Sequence, residues 1–155
     1  MVMRALGFLL LLSLAGCGFQ LRGSAALPFD SVYIENAGPE MGVELERAIR
    51  TTQTEVMPTA GEAQAVLQIL SQGQEQQILT LSGAGRVSEY RLIYRVSFRV
   101  HDKAGKNLMP PQQIELQREV TYDASQTLAK ESEIALLYRD MQTDAVQQIV
   151  RRMAA

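Results

Sequence analysis

The most regular pattern in the chain covers residues 90–101, where Tyr90, Leu92, Tyr94, Val96, Phe98 and Val100 alternate with Arg91, Ile93, Arg95, Ser97, Arg99 and His101. A period of two predicts a strand with one buried face and one wet face. Residues 112–122 alternate in the same way after the turn Asp102-Lys103-Ala104-Gly105-Lys106, so the two runs read as a hairpin. Pro110-Pro111 is expected to block pairing before Gln112, because proline has no N–H to give a ladder. The implied register sets Arg99 against Glu115, Arg95 against Glu119, Phe98 against Leu116 and Val100 against Ile114. It leaves Arg118 opposite Val96, on the wrong side.

Upstream, Ser31-Val32-Tyr33-Ile34-Glu35 is a short β-rich run closed by Asn36-Ala37-Gly38-Pro39. Over residues 40–52 the apolar positions Met41, Leu45, Ala48 and Ile49 follow helical spacing, with Pro39 suited to the first helical position. Strand character runs from Ala63 to Leu70 and returns at Ile78-Leu79-Thr80-Leu81. The polar stretch between contains Gly73, a predicted bulge or bend, and its buried face is not fixed by pattern. Ser82-Gly83-Ala84-Gly85 is a turn. At the far end Asp123 is placed to cap, with Gln126 as the return partner of a capping box. Beyond it Ile134, Leu137, Tyr138, Met141, Ala145, Ile149 and Met153 form one stripe of a long helix.

The order β-α-β-β-β-α predicts an α+β fold. It is a two-layer sandwich in which two helices cover one face of a four-stranded, mostly antiparallel sheet, and the helix between the first two strands makes that pair parallel. The opposite face is polar and open.

The amino terminus changes this picture. Arg4 precedes ten uncharged, mostly apolar residues, too few to span a bilayer, and Leu14-Ala15-Gly16 leads directly to Cys17, the only cysteine among 155 residues. This arrangement resembles a bacterial lipobox. It implies a cleaved signal over 1–16, a lipidated tether over 17–28 and a single domain over 29–155, with covalent acyl chains on Cys17 as the membrane anchor and no other cofactor. Gly18 stands where an inner-membrane retention signal would have Asp, which favours the outer membrane, periplasmic side.

Charge and composition narrow the chemistry. Fifteen Lys+Arg against seventeen Asp+Glu, a net −2, argues against a nucleic-acid binder. One cysteine and one histidine cannot close a zinc site or form an internal disulfide. Gly83-Ala84-Gly85-Arg86-Val87-Ser88 leads into a strand, so it offers no helix N-terminus to a pyrophosphate. His101 reads as a solvated strand residue, and no nucleophile–base arrangement marks an enzyme. What remains is cationic. In the expected register Arg95 and Arg99 are paired, leaving Arg91 and the turn residue Arg86 freer, while Lys130 stands out at a helix N-terminus where a positive charge is unhelpful.

Leu14-Ala15-Gly16-Cys17-Gly18-Phe19-Gln20-Leu21-Arg22-Gly23, Ser88-Glu89-Tyr90, Tyr122-Asp123-Ala124-Ser125-Gln126 with Leu128-Ala129-Lys130, and Gln148-Ile149-Val150-Arg151-Arg152 together resemble the lipopolysaccharide-assembly lipoprotein family LptE. The resemblance implies a non-enzymatic outer-membrane subunit. Such a subunit plugs the β-barrel of a partner, LptD, and binds lipopolysaccharide during its insertion into the outer leaflet. It also implies a two-helix, four-strand fold. Family lipid binding is associated with the lysine of Leu-Ala-Lys, here Lys130, and with a basic residue on the turn between the second and third strands. That turn position falls on Gly83, with Arg86 three residues later and Arg91 beyond it as the available cations. The alternative is a structural lipoprotein scaffold of an envelope complex that touches no lipid headgroup.

Overall fold

The computed structural model describes residues 26–155, so the expected signal segment, Cys17 and most of the tether lie outside the described residues. The chain runs β1 (Ser31–Glu35), α1 (Pro39–Arg50), β2 (Glu55–Val56), β3 (Ala65–Leu81), β4 (Val87–His101), β5 (Asn107–Thr121), a 3₁₀ turn (Ala124–Gln126) and α2 (Thr127–Met153). The sheet order is β2-β1-β3-β4-β5. β1 is parallel to β3, as the crossover through α1 requires, and the β3-β4-β5 meander is antiparallel.

The expected α+β layer is present, but the sheet has five strands rather than four. The addition is β2, two residues parallel to β1, held by Glu55 N–H donating to the Asp30 carbonyl (2.9 Å) and Met57 N–H donating to the Val32 carbonyl (2.8 Å). A pair this short has no periodicity to read. Gln53, at φ 67°, turns the chain into it.

Both helices bury their apolar stripes on one sheet face. Met41, Leu45, Ala48 and Ile49 of α1 and Tyr138, Met141, Ala145, Ile149 and Met153 of α2 meet Val32, Leu67, Ile69, Leu92, Val96, Phe98, Val100 and Ile114 of the sheet. Tyr94 is fully buried in the same layer, and burial pushes its phenol up to about 12, so it stays protonated. Pro39 occupies the first turn of α1, which ends at Arg50, two residues before the expected end. Asp123 does cap, but it accepts from Ser125 N–H (2.9 Å) to close the 3₁₀ turn, without the reciprocal bond from Gln126 that a capping box needs.

Three expectations about strand detail are corrected. β3 is not broken at Gly73, which pairs regularly with Arg95; the register slips at Leu70, between the pairs Ile69–Phe98 and Ser71–Ser97, and twice more near the strand end, between Ile78 and Thr80 and between Thr80 and Leu81. β5 begins at Asn107 and passes through Pro110-Pro111, because these prolines sit opposite Arg99 in a bulge on an edge strand, where a missing N–H leaves no partner orphaned. Pairing that starts at Asn107 moves the hairpin register by four residues, an even number that keeps every side chain on its face. The observed pairs are Arg95 with Glu115, Arg91 with Glu119 and Val96 with Ile114. Arg118 faces Leu92 and reaches Asp144 of α2 (2.8 Å), so the residue that offended the expected register bridges sheet and helix.

Beyond Leu70 the core face of β3 changes chemistry. Ala65, Leu67 and Ile69 give way to Gln72, Gln74 and Gln76, opposite Val96, Tyr94 and Leu92. The β3–β4 hairpin thus extends past the aliphatic core with α2 still alongside it. Two polar clasps hold the layers there: the Tyr138 hydroxyl donates to the Glu75 carbonyl (2.7 Å), and the Gln72 amide donates to Gln142 (3.2 Å).

Candidate functional site

The β3–β4 turn places Arg86. Ser82 N–H donates to the Arg86 carbonyl (2.7 Å), and Gly85 N–H donates to the Ser82 carbonyl (2.9 Å). Gly85 has φ +73°, a conformation that an L side chain strains to adopt. The Arg86 side chain projects from this clamp into solvent with no ion pair among the described residues.

Lys130 occupies the first turns of α2, its side chain 17% exposed and its ammonium 2.8 Å from Glu133. It shares a stripe with Ile134 and Tyr138, one and two turns later. Both cations lie at one end of the molecule. Tyr122 N–H donates to the Ser88 carbonyl (2.8 Å), which brings the entry to α2 beside the strand that leaves the Arg86 turn. Asp123 lies at the same entry. Bonds from the Ser125 amide and hydroxyl, with Lys130 nearby, hold its carboxyl below the usual range. Exposed aliphatics accompany the cations: Ile78 and Leu81 on β3, and Leu128 on α2 at 81% exposure. An unpaired arginine and a lysine held only by a neighbouring-turn carboxylate, beside uncovered aliphatic surface, suit an amphiphilic anion.

Arg91 is elsewhere. It lies on the open sheet face, away from α2, with its guanidinium 3.2 Å from Glu119, so the expectation of a free cation at this position is corrected. The register explains the exchange: moving it by four residues gives Arg91 the carboxylate that Arg95 was expected to hold. Arg99 instead donates to Gln68 (2.6 Å). His101 is on this same face at the strand end, its Nδ1 2.8 Å from the Asp102 carbonyl.

Arg95 is the hub of the open face, ion-paired to Glu75 and to Glu115 (2.7 Å). Bonds from Gln77 and Arg95 hold the Glu75 carboxyl below its ordinary value, and Arg95 and then Gln117 do the same for Glu115. A carboxyl depressed in the folded state contributes stability that is complete above its unfolded pKa, near 4.5, and is lost as pH falls through the folded value. Arg95→Gln is therefore expected to flatten the decline of the urea midpoint as pH falls below 4.5. An unchanged acid slope in a denaturation series would contradict this. These groups are solvent-exposed, so the effect at neutral pH is small.

Two concavities differ in kind. An apolar cleft of about 490 Å³ lies at the end of the sheet remote from Arg86, lined by Pro28, Phe29, Val100, Leu108, Met109 and Met153, where the chain arrives from the tether. A groove of about 350 Å³ lies at the cation end, between the extended hairpin and α2. Its lining includes Gln74, Gln76, Tyr90 and Tyr122, none of which the sequence reading assigned to a site. The available signal was glutamine at alternate positions, 72, 74 and 76, on a face that is aliphatic up to position 69.

No helix among the described residues is long and apolar enough to cross a membrane. The family model for LptE, described as lipopolysaccharide-assembly, matches residues 28–153. The LPS-assembly lipoprotein LptE of Yersinia enterocolitica is 29% identical over 163 residues, spanning 98% of this chain and 74% of its own. Among solved structures, an uncharacterised lipoprotein B from Nitrosomonas europaea is 44% identical with a TM-score of 0.76, covering 89% of this chain and 91% of that one. The rare lipoprotein B from Shewanella oneidensis is 27% identical with a TM-score of 0.70, covering 80% and 93%. The fold, the sequence match over nearly all the described residues and the lipoprotein relatives agree: this chain belongs to the LptE family of lipopolysaccharide-assembly lipoproteins.

Proposed function

We propose that this protein is a non-enzymatic subunit of the lipopolysaccharide translocon, anchored to the periplasmic side of the outer membrane by acyl chains on Cys17. It sits as a plug in the lumen of the β-barrel LptD and binds lipopolysaccharide through Arg86 and Lys130. The observation that carries this reading is the convergence of a solvent-exposed arginine with no ion pair among the described residues, a lysine and exposed Ile78, Leu81 and Leu128 at one end of the fold. Phosphates and acyl chains of one lipid need both kinds of surface. The open sheet face supports the seat in the barrel, because its Arg91, Arg95, Glu115 and Glu119 suit the polar interior of such barrels. Arg91 belongs to that face and not to the lipid site.

Each cation that contacts a phosphate contributes roughly 1.5–3 kcal/mol. Lys130 exchanges Glu133 for the phosphate at little cost, since ion pairs between neighbouring helical turns are worth only about 0.2–0.5 kcal/mol. The Arg86→Asp, Lys130→Asp double variant is therefore expected to bind lipopolysaccharide at least about tenfold more weakly in a pull-down on immobilised lipid. Full retention of binding would refute the assignment. Full retention together with unchanged lipid export would favour the scaffold reading.

A further inference from the structure

The groove between the hairpin and α2 lies one helical turn from Lys130, since Lys130, Ile134 and Tyr138 share a stripe. Gln74 and Gln76 form part of its wall on β3, and Tyr90 and Tyr122 meet edge to face at 5.0 Å. The amides of both glutamines and the hydroxyls of both tyrosines take no partner among the described residues. Glu131 also lines the groove and adds an acceptor. An acyl chain lying here would strip water from these groups and replace none of its hydrogen bonds. A sugar replaces that water with hydroxyls and an amide, and lays its C–H face on a tyrosine ring. The volume, at the small end of ligand sites, fits one or two sugar rings.

We propose that this groove is a saccharide subsite: it holds a phosphorylated amino sugar by Gln74, Gln76, Tyr90 and Tyr122, with the phosphate directed to Lys130. The inference rests on the lipid-binding reading above and extends it from charge to carbohydrate. It leaves the acyl chains to the exposed aliphatics outside the groove.

The test is calorimetric titration of the full chain in detergent micelles with two probes, a deacylated bisphosphorylated glucosamine disaccharide and inorganic phosphate. Gln74→Leu, Gln76→Leu changes only exposed side chains and preserves the fold. The disaccharide is expected to bind wild type at least fivefold more tightly than this variant, and to shift the ring resonances of Tyr90 and Tyr122. Phosphate alone is expected to bind both proteins equally weakly. If whole lipopolysaccharide binds but the disaccharide binds the variant as well as wild type, or binds no better than phosphate, the saccharide subsite is overturned while the lipid-binding reading stands. If whole lipopolysaccharide does not bind wild type, both fall.

Discussion

Phe98→Ala is expected to remove about 3–5 kcal/mol of stability, a large share of the 5–15 kcal/mol typical of a domain. Phe98 is fully buried, paired with Ile69 on β3 and Gln112 on β5 at the centre of the sheet. Its ring lies in the one cluster that joins both helices to the strands, so the cavity cannot be filled by a neighbouring loop. The loss should appear in urea denaturation as a lower midpoint with an unchanged slope, because the surface exposed on unfolding stays nearly the same. A loss under about 1 kcal/mol would mean that the site relaxes and that the core is not packed as described. Leu128→Ala, by contrast, removes a side chain that is already 81% exposed and should leave the midpoint where it was.

In cells that lack the barrel partner, Cys17→Ser is expected to abolish membrane attachment. Acyl chains partition into a bilayer at about 0.8 kcal/mol per buried CH₂, and a single chain gives only marginal, reversible binding, so the acyl chains of the proposed anchor together account for the stable attachment that remains without the barrel. Cys17 is the only thiol in the chain, so nothing else can accept the lipid. After membrane fractionation the wild-type protein should pellet, whereas the variant should remain in the supernatant. The intact mass of the mature wild type should exceed that of residues 17–155 by the acyl groups. Equal pelleting of the two proteins after a high-salt wash would show that the anchor lies elsewhere.

Alternation at 90–101 and helical spacing at 41–49 and 134–153 were legible because each reports burial on one face, and burial is a property of the side chain itself. Register is different. The hairpin pairing depended on whether Pro110-Pro111 ends the strand or forms a bulge, and that is decided by β5 being an edge strand, which no local pattern states. From that one point the roles of Arg91, Arg95, Arg99 and Arg118 all follow, which is why Arg91 was misjudged as free. β2 escaped for another reason, since two residues joined to β1 carry no period at all. The assignments of Arg86 and Lys130 rest on a motif resemblance and on turn and cap chemistry, local features that do not depend on the hairpin register. The groove beside them did not, because Gln74 and Gln76 read as loop polarity until the sheet placed them on the core face.

The most direct measurement is purification of the full chain from Gram-negative outer membranes in mild detergent, with mass spectrometry of everything that co-elutes. The proposed role predicts a stoichiometric outer-membrane β-barrel together with bound lipopolysaccharide, the lipid being lost and the barrel kept in the Arg86→Asp, Lys130→Asp variant. A wild-type protein that elutes alone, with neither barrel nor lipid, would contradict it.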